Sequence, residues 1–73
     1  MKIKYENKKV EKLVKISHIE NVIDWFLETF NDATIEEIKE IFVSDNRNEV
    51  KYFFYDDNND VIFETYNKKS DLN

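Results

Sequence analysis

The segment VKYFFYDDNNDVIFETY, Val50 to Tyr66, sets two apolar runs on either side of a tip made only of Asp and Asn. That pattern constrains the chain to a β-hairpin. Asp and Asn tolerate the left-handed backbone of a tight tip and bond their own backbone, while β-branched and aromatic residues suit the flanking strands. A half-exposed hairpin alternates apolar with polar residues, because successive side chains point to opposite faces. This one does not. Val50, Tyr52 and Phe54 fall on one face and Lys51, Phe53 and Tyr55 on the other; the return strand sets Val61, Phe63 and Thr65 against Ile62, Glu64 and Tyr66. Both faces carry aromatic rings, so both call for cover.

A chain of 73 residues has little cover to give. It makes one domain, residues 1–73, whose single core is marginal unless disulfides, a metal or a second subunit adds to it. With no cysteine and one histidine, His18, disulfides and the usual zinc sets are excluded, leaving tight packing or oligomerisation. At 15% aromatic the chain has apolar mass enough for a core, which sets it apart from disordered sequences despite its charge. Gly and Pro are absent, which excludes phosphate-cradling glycine loops. No apolar run approaches the roughly 18 residues of a membrane span. The basic start (Lys2, Lys4, Lys8, Lys9) lacks the apolar stretch and cleavage site of a signal peptide. A cytoplasmic protein with no cofactor and no membrane partner is expected.

Along the chain, Ile3 and Tyr5 alternate, the polar Asn7–Lys8 pair reads as a turn, and Val10, Leu13, Val14 and Ile16 resume, predicting an N-terminal hairpin. Ser17 followed by Glu20 has the form of a capping box, and Ile19, Val22, Ile23, Phe26, Leu27 and Phe30 recur at helical spacing, predicting a helix over 18–31. Thr34 and Glu37 repeat the capping pattern, but the extended segment from Ile41 leaves barely two turns for a second helix. A strand beginning near Thr34 or Ile35 is therefore preferred. The expected fold is α+β: an antiparallel sheet of four to five strands with one main helix, in the order ββαβββ, with ββααββ as the alternative. Residues 67–73 are expected to be a frayed tail. One helix covers one face, and the aromatics of the other mark a dimer or partner interface, with Tyr52, Phe53, Tyr55 and Tyr66 as candidates. Tyr52 and Phe53 alternate, so only one of them can lie there.

Charge is segregated. Residues 1–16 carry a net +4, residues 17–66 a net −10, and the whole chain −5. The acids Glu20, Asp24, Glu28, Asp32, Glu36 and Glu40 recur at every fourth position. On a helix, residues four apart are surface neighbours about 6 Å apart along the axis, and like charges there repel by a few tenths of a kcal/mol per pair. No lysine or arginine lies between Lys15 and Lys39 to relieve that repulsion. Such a row repels nucleic acid, yet it suits a basic groove built for phosphates. Asp56, Asp57 and Asp60 at the hairpin tip add to the same field.

No catalytic or metal site is expected. Asp56, Asn58 and Asp60 fit the first positions of a calcium loop, but Val61 stands where the loop needs Gly and Asn67 where it needs Glu. Ser17, His18 and Glu20 offer nucleophile, base and acid by type, but neighbours on a capping turn diverge.

This small, acidic, cysteine-free, Asn- and Lys-rich chain, with its carboxylate row, resembles in type the small inhibitor proteins of bacteriophages, some of which mimic DNA. The resemblance is compositional and carries no signature motif. It implies a non-enzymatic inhibitor acting in the host cytoplasm in host takeover, occupying the DNA-binding groove of a basic host protein. The uncovered aromatic face adds the expectation of a homodimer, and the net charge of −5 that of no direct nucleic-acid binding. A regulatory module binding through the aromatic face, or an immunity protein against a basic nuclease toxin, uses the same residue types.

Overall fold

A computed structural model describes residues 1–73. In chain order it comprises β1 (Lys2–Tyr5), α1 (Lys8–Leu13), α2 (Ile16–Thr29), a single 3-10 turn (Ile35–Glu37), β2 (Glu40–Asn46), β3 (Glu49–Tyr55), β4 (Val61–Lys68) and a second 3-10 turn (Lys69–Asp71). The fold is α+β, a four-stranded sheet with one main helix. Strand order is β1-β2-β3-β4, with β2, β3 and β4 an antiparallel meander and β1 parallel to β2 along its outer edge.

The N-terminal hairpin is not formed: its second arm is the helix α1. Asn7 decides this, because its side-chain oxygen accepts the Val10 backbone N–H at 2.8 Å and starts a helix where a turn was expected. Val10 and Val14, four apart, then point the same way and are buried. Freed from a hairpin, β1 pairs with β2, Ile3 opposite Ile41 and Tyr5 opposite Val43.

Only Val14 and Lys15 separate the two helices. The start of α2 therefore falls before Ser17, and the expected Ser17–Glu20 cap does not form. His18 replaces it, its Nδ1 accepting the Lys15 backbone N–H at 3.0 Å. The Thr34–Glu37 cap does form, with the Thr34 N–H donating to the Glu37 carboxylate at 3.0 Å. It closes one 3-10 turn and no more, since Ile38 is buried and the Lys39 N–H already bonds the Tyr55 carbonyl at 2.8 Å. The strand expected from residue 34 thus begins at Glu40.

With no glycine, the two hairpins place Arg47 (φ 56°) and Asn59 (φ 64°) in the left-handed region. Asn tolerates this; Arg carries a cost of roughly 1 kcal/mol. Residues 67–73, expected to fray, are tied down. The Lys69 N–H bonds the Asn48 carbonyl, the Lys69 ammonium pairs with Asp45, and Leu72 is buried.

All buried apolar residues form one cluster on one side of the sheet, made from Val10 and Val14, from Ile19, Val22 and Phe26 of α2, from Ile38, Ile41, Val43, Val50, Tyr52 and Phe54, and from Leu72. Phe26 is its hub. Its ring lies 5.5 Å from Phe54, 5.6 Å from Phe63 and 5.5 Å from Phe30, in the tilted and edge-on geometries that favour aromatic pairs. Phe26→Ala should cost about 3–5 kcal/mol. The whole domain is expected to hold only roughly 4–11 kcal/mol at its length, so this loss is a large share of it and a urea titration should show a sharply lowered midpoint for this variant.

Tyr52 is wholly buried, its hydroxyl donating to Asn67 at 2.7 Å, and burial, with the nearby Tyr5 adding, pushes its pKa up to about 12. A pKa raised in the folded state gives stability that is complete below the ordinary tyrosine value and is lost as pH rises through about 12. Tyr52→Phe should lose about 1 kcal/mol at neutral pH, by leaving Asn67 unpaired, and flatten that alkaline decline in urea titrations at successive pH values.

Candidate functional site

Two surfaces stand out, one acidic and one aromatic. The acidic surface is built by α2. Because Ile19, Val22 and Phe26 face the sheet, the 3.6-residue repeat turns Glu20, Asp24 and Glu28 outward along the opposite side, and all three are exposed. None has a cationic partner. The chain's ion pairs are Lys51 with Glu64, at 3.9 Å, and Lys69 with Asp45, both away from this ridge.

Beyond the end of α2 the row loses its helical spacing but not its charge. Asp32 and Glu36 are exposed in the connection to β2, and Asp57 and Asp60 are exposed at the β3–β4 tip beside the half-buried Asp56. Asp32 and Glu37 rim a shallow crevice of about 290 Å³ whose floor is Phe26, Phe30, Ala33 and Ile62. Glu37 also shares a depression with Asp56 and Asp57, so tip and connection form one acidic pole. Lys39 and, bonded to it through the backbone, Lys2 are cations on that flank. Glu40 does not belong to the row: it begins β2 and, opposite Tyr55, lies on the far side of the sheet. Glu37, not singled out by the four-residue spacing, replaces it; its adjacency to the tip arises from the sheet and has no signal in the sequence.

The other end of the molecule mixes cations with acids. Asp45 anchors it, accepting from the Lys69 ammonium and, at 3.4 Å, from the Asn7 amide. The Lys69 hydrogen bond chiefly holds the Asp45 carboxyl below its ordinary range, against the opposing effect of partial burial, and the Asn7 amide and the charges of Lys69 and Lys9 assist. The neighbouring Lys8, Lys9, Arg47 and Lys68 are exposed, but so are Glu6 and Asp71, and Glu49 lies opposite Lys68, so this end is close to neutral and the excess of acid lies at the tip end of a molecule with extents of 32 × 22 × 18 Å.

The aromatic surface is the side of the sheet away from both helices. Phe42, Phe53 and Tyr55 are half-buried yet lie outside the core cluster, and Val61 and Tyr66 are 50% and 49% exposed. Nothing in the chain covers them. Phe53, Tyr55 and Tyr66 lie where the strand alternation put them. Tyr52 does not join them, since it is wholly buried on the helix side and belongs to the core. Phe42 belongs to this face although it was not singled out. The alternation in EIFVSD, with Ile41 and Val43 inward, is the signal that marks it.

The hairpin tip is held by Asp56, whose Oδ1 accepts the backbone N–H groups of Asn58 at 2.9 Å and Asp60 at 3.0 Å. This is turn chemistry, and it occupies an oxygen that a calcium loop would need. Asp56→Ala should therefore destabilise the fold by about 1–2 kcal/mol, and added calcium should leave the wild-type melting temperature unchanged, both read by thermal denaturation.

No protein-family model, curated protein or solved structure matches this chain, so function is argued from these two surfaces.

Proposed function

We propose that this is a non-catalytic cytoplasmic binding protein that occupies a basic, nucleic-acid-binding groove of another protein with the outer side of α2 and the adjoining acidic pole. The observation that carries this reading is the unpaired carboxylate ridge, Glu20, Asp24 and Glu28, running into Asp32, Glu36, Glu37 and the tip. Unrelieved repulsion at four-residue spacing costs stability, and a basic partner recovers it on binding. The crevice between Phe30, Ala33 and Ile62, rimmed by Asp32 and Glu37, suits the apolar stem and charged head of an inserted Lys or Arg. Occupation is steric and electrostatic; no bond is made or broken. The compositional likeness to small phage inhibitors agrees with this mode of action and with a role in host takeover.

Competition on duplex DNA tests it. The protein should displace labelled DNA from basic host proteins such as a nucleoid protein or a sliding clamp, and bind no DNA itself at physiological salt. Converting Glu20, Asp24 and Glu28 together to their amides should slow association with such a target, the difference shrinking as salt rises. The same variant should be more stable, by a few tenths of a kcal/mol per relieved pair, in urea titrations. The bare aromatic face supports a second reading, an interaction module binding through Phe53, Tyr55 and Tyr66. Unchanged target affinity in the triple amide at low salt would reject groove occupation and favour that module.

A further inference from the structure

The open face carries a charge pattern that specifies how two copies fit together. Its side chains lie in rows across the four strands, and the central row takes Lys4 from β1, Phe42 from β2, Phe53 from β3 and Glu64 from β4. It reads cation, aromatic, aromatic, anion. Lys51 approaches Glu64 only to 3.9 Å, leaving that exposed carboxylate available.

Two such faces can meet about a twofold axis lying between them in two ways. An axis across the strands sets each strand over its own counterpart, stacking Lys4 on Lys4 and Glu64 on Glu64. An axis along the strands exchanges the sheet edges: Lys4 lies over Glu64 of the second copy and Phe42 over its Phe53. In the next row Glu40 then lies over Tyr55 of the second copy, a carboxylate facing a phenol that can donate to it. One arrangement sets like charges together at both rims; the other sets opposite charges around an aromatic centre. Isologous twofold interfaces demand this self-complementarity.

We propose that the open face is a homodimer interface with its twofold axis parallel to the strands, closed at each rim by a Lys4–Glu64 pair. It rests on the sheet register alone and is independent of the acidic-surface reading. The second copy supplies the cover that the helices give the other face, at the spacing of about 10 Å usual for stacked sheets. Four strands about 4.8 Å apart, each of roughly six residues, make a face about 15–20 Å on a side. That is small for a specific interface, so the dimer is weak, of micromolar affinity or less.

Sedimentation equilibrium on the full chain, from micromolar to millimolar concentration, tests the proposal. Wild type should pass from one to two chain masses, with a dissociation constant that rises with salt. Lys4→Glu and Glu64→Lys should each raise it at least about tenfold while keeping wild-type circular dichroism and melting, since both positions are exposed. An equimolar mixture of the two variants should associate more tightly than either variant alone, because one chain then brings acids and the other bases to both rims, so each rim of the mixed pair joins opposite charges. The double reversal in one chain should restore the dimer to wild-type strength, since both rims again pair opposite charges. A monomer at millimolar concentration overturns the proposal, as does a salt-insensitive dimer, single reversals without effect, or a double reversal that stays monomeric.

Discussion

The packing of Phe26 between α2 and the sheet is the interaction on which the rest depends. Phe54 and Phe63 bring one ring each from β3 and β4, Phe30 adds a third from the residue just past the end of α2, and the edge-on angles fix the rotation of α2 about its axis. That rotation decides which side of the helix faces water. It also commits the whole apolar part of the helices to one side of the sheet, so the other side stays bare.

The strongest periodic signals in the sequence found their counterparts. The helical stripe from Ile19 to Phe30 formed α2, and the double-sided pattern around the Asp/Asn tip formed β3 and β4. Errors came where one local bond outweighed a pattern. A single Asn7 side chain, reaching the Val10 N–H, turned an expected strand into α1 and made β1 a parallel partner of β2. At the tail, the tie lay in Lys69 meeting Asp45, residues far apart in sequence whose pairing no local pattern signals. The candidate surfaces divide in the same way. The ridge of Glu20, Asp24 and Glu28 follows from helical spacing alone, while the gathering of Glu37 with Asp56 and Asp57 needs the sheet to bring the connection beside the tip. Alternation located Phe53, Tyr55 and Tyr66, but the partner strand was needed to add Phe42 and Lys4.

The two surfaces lie on opposite sides of the molecule and so do not compete. Two copies joined through their aromatic faces would each turn an acidic ridge outward, on opposite sides of the pair. A target with two basic grooves, or two targets, could then be held at once. Simultaneous engagement of two sites raises apparent affinity without any new contact, provided the separation of the grooves matches that of the ridges. The proposed pairing and groove occupation would thus reinforce each other while resting on different residues.

The parallel pairing of β1 with β2 also governs the order in which the chain assembles. Lys2 to Tyr5 leave the ribosome well before their partners, Glu40 to Val43, which come only after both helices, and β3 and β4 must still follow to complete the meander. The β2–β3 and β3–β4 hairpins close short loops and form early, whereas β1 has to bridge the entire helical segment. The strand of the sheet that is synthesised earliest is therefore the last to dock, and until it does, β2 has an open edge on which an exchanged β1 from a neighbouring chain could settle.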